Sequence, residues 1–166
     1  MIIEKSFLQG EITPPPSKSE LHRALICAAL SGETSKIHNF FGCDDLLATV
    51  GALKSFGAEI LVQNGTDTVN SGNIFTKNRD IITVDCGESA STLRFLIPVA
   101  AAMGKNVRFV GKPSLMARPI DEYAEIFKNH GVKISCGDNS VTVSGNLPAA
   151  NSRSMRAFLR SMSRDF

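Results

Sequence analysis

The chain has 166 residues, 43% of them hydrophobic and 20% charged, with a formal net charge of +2. Those totals suit a globular protein of one ordinary domain or two small halves. They argue against a general nucleic-acid binder, because no Lys/Arg run or aromatic-basic interleaving accompanies so small a charge.

The opening MIIEKSFLQGEI has neither a long apolar stretch nor a cleavage pattern, so no signal peptide is expected. Ile2–Phe7 reads as a short strand. The stretch Pro14–Leu30, PPPSKSELHRALICAAL, predicts a helix: Leu21, Ala24, Leu25, Ala28 and Ala29 share one face. Ser17 can cap it, Glu20 completes a capping-box pattern, and Gly32 stops it. Ser35–His38 suggests a strand. Asp44 and Asp45 are expected to cap a helix over Leu46–Phe56, with Leu47, Val50 and Leu53 or Lys54 at helical spacing and Gly57 as its stop. Ala58–Val62 follows as a strand, and Asn64–Asn73 as a hairpin or loop. Ile81–Val84 is a β-branched strand. Gly87–Thr92 is a polar turn into the apolar helix Leu93–Met103, with Pro98 inside it. Val107–Val110 is a strand and Gly111–Ala117 a loop. Pro119 suits the first position of a helix running to His130, stopped by Gly131. Lys133–Ser135 and Val141–Ser144 form a last pair of strands, turned at Gly137–Asn139. No apolar run is long enough to cross a bilayer. Cys27, Cys43, Cys86 and Cys136 are scattered singles, which predicts reduced thiols in a cytoplasmic protein and no metal site.

The order is strand, helix, strand, helix, strand, strand, twice over. Aligning Arg23 with Arg94 also aligns Leu25 with Leu96, Ile26 with Ile97 and Ala29 with Ala100. Aligning Gly57 with Gly131 pairs Lys54 with Lys128 and Ile60 with Ile134. An internal duplication is the reading. Its helix starts carry cations where the helix dipole is already positive. The first has Lys18, Ser19 and Arg23. The second has Glu88, Ser89, Ser91, Thr92 and Arg94, with Arg94 placed on its helix as Arg23 is on the first. Arg118 stands before Pro119. Helix N-termini, hydroxyls and arginines together suit phosphate and carboxylate, so one cleft for a small, multiply anionic substrate is expected.

These residues also form recognisable runs. P-x-S-K-S-x-x-x-R-A-L, D-C-G-E-S-A-S-T-L-R and L-M-A-R-P-I, in that order, resemble three motifs of the 5-enolpyruvylshikimate-3-phosphate synthase family, with Asp44–Asp45 and Gly57 where that family has them. The resemblance covers residues 1–149 and implies the α/β (α+β type) enolpyruvyl transferase fold, with about two of its six βαβαββ units present. It implies transfer of the enolpyruvyl group of phosphoenolpyruvate to the 5-hydroxyl of shikimate 3-phosphate, releasing phosphate, without cofactor or metal. By the same resemblance Lys18 contacts both substrates as a catalytic residue, and Ser19 and Arg23 grip shikimate 3-phosphate. Ala90 and Ser91 line the phosphoenolpyruvate pocket, Arg94 is a supporting cation, and Arg118 holds the anionic end of phosphoenolpyruvate. A second domain is expected to complete the site, so this chain alone should be inactive or nearly so. No nucleic acid or membrane partner is implied.

Two departures stand out. The family's Asn-Ala-Gly-Thr-type turn is Glu88-Ser89-Ala90-Ser91 here. Glu88 brings a carboxylate to an anion site, and Ala90 in place of glycine implies weak glyphosate sensitivity. The domain reading is 1–13 as an N-terminal strand segment, 14–149 as the two repeats, and 150–166 as an atypical basic tail with Arg153, Arg156, Arg160 and Arg164. Either the tail is a basic amphipathic helix, or a one-nucleotide shift in suitably chosen codons turns it into sequence bearing the family's Ser-Ser-Gln motif. The sister enzyme acting on UDP-N-acetylglucosamine is the nearest alternative. It usually has a cysteine where Pro113 stands, and lacks the Ser-Lys-Ser start at Ser17–Ser19. A non-catalytic anion-binding module is the alternative of a different class.

Overall fold

A computed structural model describes residues 7, 9–63, 65–76, 80–128, 130–137 and 139–147. The expected strand Ile2–Phe7 and the tail from 149 fall outside the described residues, apart from Phe7. The elements run α1 (Lys18–Ala29), β1 (Thr34–His38), α2 (Asp44–Phe56), β2 (Glu59–Gln63) and β3 (Thr66–Asn70), then β4 (Ile82–Asp85), α3 (Ala90–Met103), β5 (Val107–Val110), α4 (Pro113–Met116), α5 (Asp121–Lys128), β6 (Val132–Gly137) and β7 (Ser140–Gly145).

The repeat is visible in the sheets. One has the order β1-β3-β2, wholly antiparallel; the other is β4-β5-β7-β6, with β4 parallel to β5 and the rest antiparallel. Thus β5, β7 and β6 repeat the pairing of β1, β3 and β2. Burial along α1 and α3 keeps the same phase when Arg23 is set on Arg94: Leu21, His22, Leu25 and Ile26 are buried, as are Thr92, Leu93, Leu96 and Ile97. The caps are one residue out of step, Ser17 for α1 and Ser89 for α3. Arg23 therefore stands sixth on its helix and Arg94 fifth, although they share a face.

Each repeat is closed by a pair of glycines. Gly57 (φ 107°) ends α2 in the left-handed region, and a Cβ on Gly72 (φ 50°) would strike the Gly57 carbonyl oxygen. Gly131 and Gly145 repeat this: a Cβ on Gly145 would strike the Gly131 carbonyl oxygen. Only glycine combines that φ with so close a backbone approach.

The core runs continuously through both repeats. Leu25, Leu46, Leu53, Leu96, Ile97 and Phe109 are completely or almost completely buried, each side chain contributing about 1.5–3 kcal/mol by leaving water. α1 lies on β1 and β3, α3 on β7, and α5 on β6; α1, α2 and α3 pack on one another, and α2 also meets β4. These helix contacts join the two units.

Several sequence expectations are corrected. Cys43, not Asp44 or Asp45, is the N-cap of α2, and no side chain caps it; both aspartates lie in the first turn. Leu47 is 47% exposed, whereas Leu46 and Thr49 take the inward positions. α1 ends at Ala29 with Leu30 as its C-cap, and Gly32 serves the turn beyond (φ 82°). The segment read as hairpin or loop contains β3, which hydrogen-bonds to strands on both sides. Gly111–Ala117 holds the single turn α4 with Pro113 at its start, and α5 begins at Asp121 rather than Pro119.

Candidate functional site

The Ser17 hydroxyl accepts the Glu20 N–H at 3.4 Å and starts α1. Lys18, the first helical residue, does not swing free into water. Its Nζ meets Asp45 Oδ2, in the first turn of α2, at 2.5 Å. This carboxylate offsets a cation at a helix end that would repel it. The Asp45 hydrogen bond and charge raise the Lys18 pKa above the ordinary lysine value. The same bond holds the Asp45 carboxyl below its usual range against partial burial, with the smallest of the contributions coming from the Ser89 hydroxyl.

Asp45 also gathers the start of α3. Its backbone carbonyl lies 3.3 Å from Thr92 Oγ1 and 3.4 Å from Thr49 Oγ1. Thr92 Oγ1 donates to Ser89 Oγ at 2.8 Å, and the Thr92 N–H caps on the same oxygen at 3.2 Å. Thr49 and Thr92 hydroxyls meet at 2.7 Å, and Thr49 meets His22 Nδ1 at 2.7 Å. His22, Thr49 and Thr92 are fully buried and Ser89 nearly so. Burial lowers the His22 pKa, opposed by the Asp45 charge, so the ring is neutral near pH 7.

A recess of about 600 Å³ opens beside the Lys18–Asp45 pair, lined also by Phe41, Cys43, Asp44, Gly87, Glu88 and Lys112. Glu88 pairs with no arginine among the described residues; it meets Lys112 Nζ at 3.3 Å. Both recess ammonium groups thus already have carboxylate partners. An anion entering here would share or displace them.

Of the residues singled out from sequence, Lys18 lines the recess; Ser19, Arg23, Ala90, Ser91, Arg94 and Arg118 lie outside that lining. Lys18, Arg23 and Arg118 are exposed, and Ser19, Ala90, Ser91 and Arg94 half-buried. Ala90 and Ser91 open α3, directly after its Ser89 cap. Sequence reading missed His22, Thr49 and Lys112, and took Asp45 for a cap. Polar residues inside the apolar stripes of α1 and α2 were the available signal for His22 and Thr49. No group of three or more His, Cys, Asp or Glu side chains that could hold a metal occurs among the described residues, and no described helix is long and apolar enough to cross a membrane.

The fold and recess define a class: an α/β protein of two similarly paired units, with cations set at the starts of its helices. The match to known proteins is specific. The model of the family EPSP synthase (3-phosphoshikimate 1-carboxyvinyltransferase) covers residues 3–159, and the chain belongs to that family. It is 40% identical over 157 residues to a 3-phosphoshikimate 1-carboxyvinyltransferase of Clostridioides difficile (strain 630), covering 87% of this chain and 36% of that protein. A Clostridium perfringens protein of the same name is 43% identical over 135 residues, covering 81% and 32%. An EPSP synthase structure from Acinetobacter baumannii superposes with a TM-score of 0.70 at 24% identity, over 83% of this chain and 32% of that one, and supports the fold. The chain spans about a third of the length of the curated relatives it matches.

Proposed function

We propose that the chain supplies part of a site that holds shikimate 3-phosphate beside phosphoenolpyruvate, in an enzyme that moves the enolpyruvyl group to the 5-hydroxyl and releases phosphate. The observation that carries this reading is the family match over residues 3–159, which runs through all three cation-bearing motifs. Lys18 is the catalytic contact shared by both substrates. Ser19 and Arg23 grip shikimate 3-phosphate; Ala90 and Ser91 line the phosphoenolpyruvate pocket, Arg94 supports it, and Arg118 holds the anionic end. The chemistry asks for such groups, because two anions must be brought together and the charge that develops during transfer must be neutralised. Lys18 is fitted to its role because it lines the recess beside its partner Asp45, where a ligand anion can take a share of the ammonium. Residues 14–149 form the duplicated unit, flanked by the segments 1–13 and 150–166, and the site is completed by groups from a further domain. Both substrates are small molecules, and the enzyme works in the cytoplasm.

The test is a titration of the chain with shikimate 3-phosphate, followed in amide spectra. Saturable shifts centred on residues 17–23, lost in Lys18→Met, are expected. Unmoved resonances at millimolar ligand refute the reading.

A further inference from the structure

His22, Thr49, Thr92 and Ser89 join the α1, α2 and α3 helices through polar side chains that water does not reach. Two of the three contacts can be drawn in either direction from distance alone. Proton counting removes the freedom. A threonine hydroxyl has one proton to give. Thr92 is placed to donate its proton to Ser89 Oγ at 2.8 Å. The Thr49–Thr92 contact at 2.7 Å must also contain a proton, because two oxygens at that distance with none between them repel. That proton can only be Thr49's. The His22–Thr49 contact, also 2.7 Å, then needs its proton from the imidazole. The alternative outlets, the Asp45 carbonyl at 3.3 and 3.4 Å, are far longer than the bonds they would replace. Ser89 Oγ accepts from both Thr92 Oγ1 and the Thr92 N–H, so the line ends at the cap of α3.

We propose that these four residues are a one-way hydrogen-bonded relay, running from His22 to Ser89, whose threonine hydroxyls lie against the Asp45 backbone carbonyl and so position Asp45 and, through it, Lys18. His22 is its closed end, held as the neutral Nδ1–H tautomer with a bare Nε2. The second ring nitrogen agrees: Nε2 is buried and has no partner among the described residues. In this tautomer the unmet atom is a bare acceptor rather than a stranded N–H donor. Phe95 lies beside the ring, its centroid 6.4 Å away and tilted. The charges that act on the imidazole are those of Asp45, Lys18 and Arg23. The four are positioning residues, since none touches the recess itself.

The tautomer is directly measurable. Long-range nitrogen–proton spectra of the whole chain at neutral pH should show His22 as Nδ1–H, the minority form for histidine in water. An Nε2–H ring overturns the relay. Thr49→Val removes the acceptor and should return His22 to Nε2–H, whereas Thr49→Ser keeps the hydroxyl and the Nδ1–H form. A Thr49→Val protein that stays Nδ1–H also overturns it. A second measurement rests on the proposed function: Thr49→Val should weaken shikimate 3-phosphate binding about five-fold and Thr49→Ser should restore it, about one hydrogen bond's net worth. Equal affinity in both variants overturns the link to Lys18. If the unaltered chain does not bind this ligand, the functional reading fails, and the tautomer alone decides the relay.

Discussion

Asp67 is the residue whose replacement should most improve this fold. It lies on the central strand β3, opposite Ile37 on β1 and Val62 on β2. It is completely buried, and neither carboxylate oxygen has a hydrogen-bond partner among the described residues. Burial raises its pKa above the ordinary 3.8, and the Lys54 charge offsets this in part. The second repeat has valine in the equivalent place: Val141 stands opposite Phe109 as Asp67 stands opposite Ile37, and is 3% exposed. A buried polar group without a partner costs about 1–3 kcal/mol, and valine adds apolar burial and a better strand preference. Asp67→Val should therefore gain about 2 kcal/mol, which for a chain of this length is about 4–8 °C in Tm. The pH dependence identifies the cause. A carboxyl whose folded-state pKa is raised stabilises the fold, relative to neutral pH, below the unfolded value, and that contribution is lost as pH rises through the folded value. Thermal unfolding of both proteins from pH 4 to pH 8 should show the variant's advantage widening upward from the acid end. A gap that stays constant with pH, or a variant that melts lower at pH 7, refutes the reasoning.

Two further outcomes can be checked alongside it. Gly145→Ala places a methyl group against the Gly131 carbonyl at a φ of 103° and should cost about 1–3 kcal/mol in urea unfolding, whereas Gly51→Ala, in mid-helix with open space around it, should gain about 1 kcal/mol; equal effects would mean that the glycine closure is not a steric requirement. Maleimide should modify the exposed Cys27 and Cys136 in the folded chain, while Cys86, fully buried and with its thiol pushed up to about 12, should react only on unfolding, as mass spectrometry of timed aliquots would show; early labelling of Cys86 would contradict its burial.

Much of the fold was legible because its signals are local. The apolar stripe of α1, the Gly57 stop and the β-branched strands β4, β5 and β7 announce themselves within a few residues. What stayed hidden depends on neighbours distant in sequence. β3 reads as a loop because Thr66, Asp67, Thr68 and Asn70 are polar, and only its place between two strands makes it a strand. α4 is one turn long, too short for any period to show. Lys18 could be singled out as a misplaced cation, yet its partner could not, since Asp45 also suited a cap. His22, Thr49 and Thr92 look like polar interruptions of three separate helices until the helices pack and the three become one line of hydrogen bonds.

The glycine pairs Gly57–Gly72 and Gly131–Gly145 close their repeats through backbone alone. No side chain on one repeat has to be remembered by the other for that closure to work. The interval from the end of the second helix to the end of the last strand therefore carries its own steric closure. Exchanging 57–72 with 131–145 would carry the steric fit along with the segment. The polar line through His22, Thr49 and Thr92 has the opposite character: it spans both repeats and breaks when either is moved. The same chain thus combines a closure found in both repeats with a polar line that runs between them.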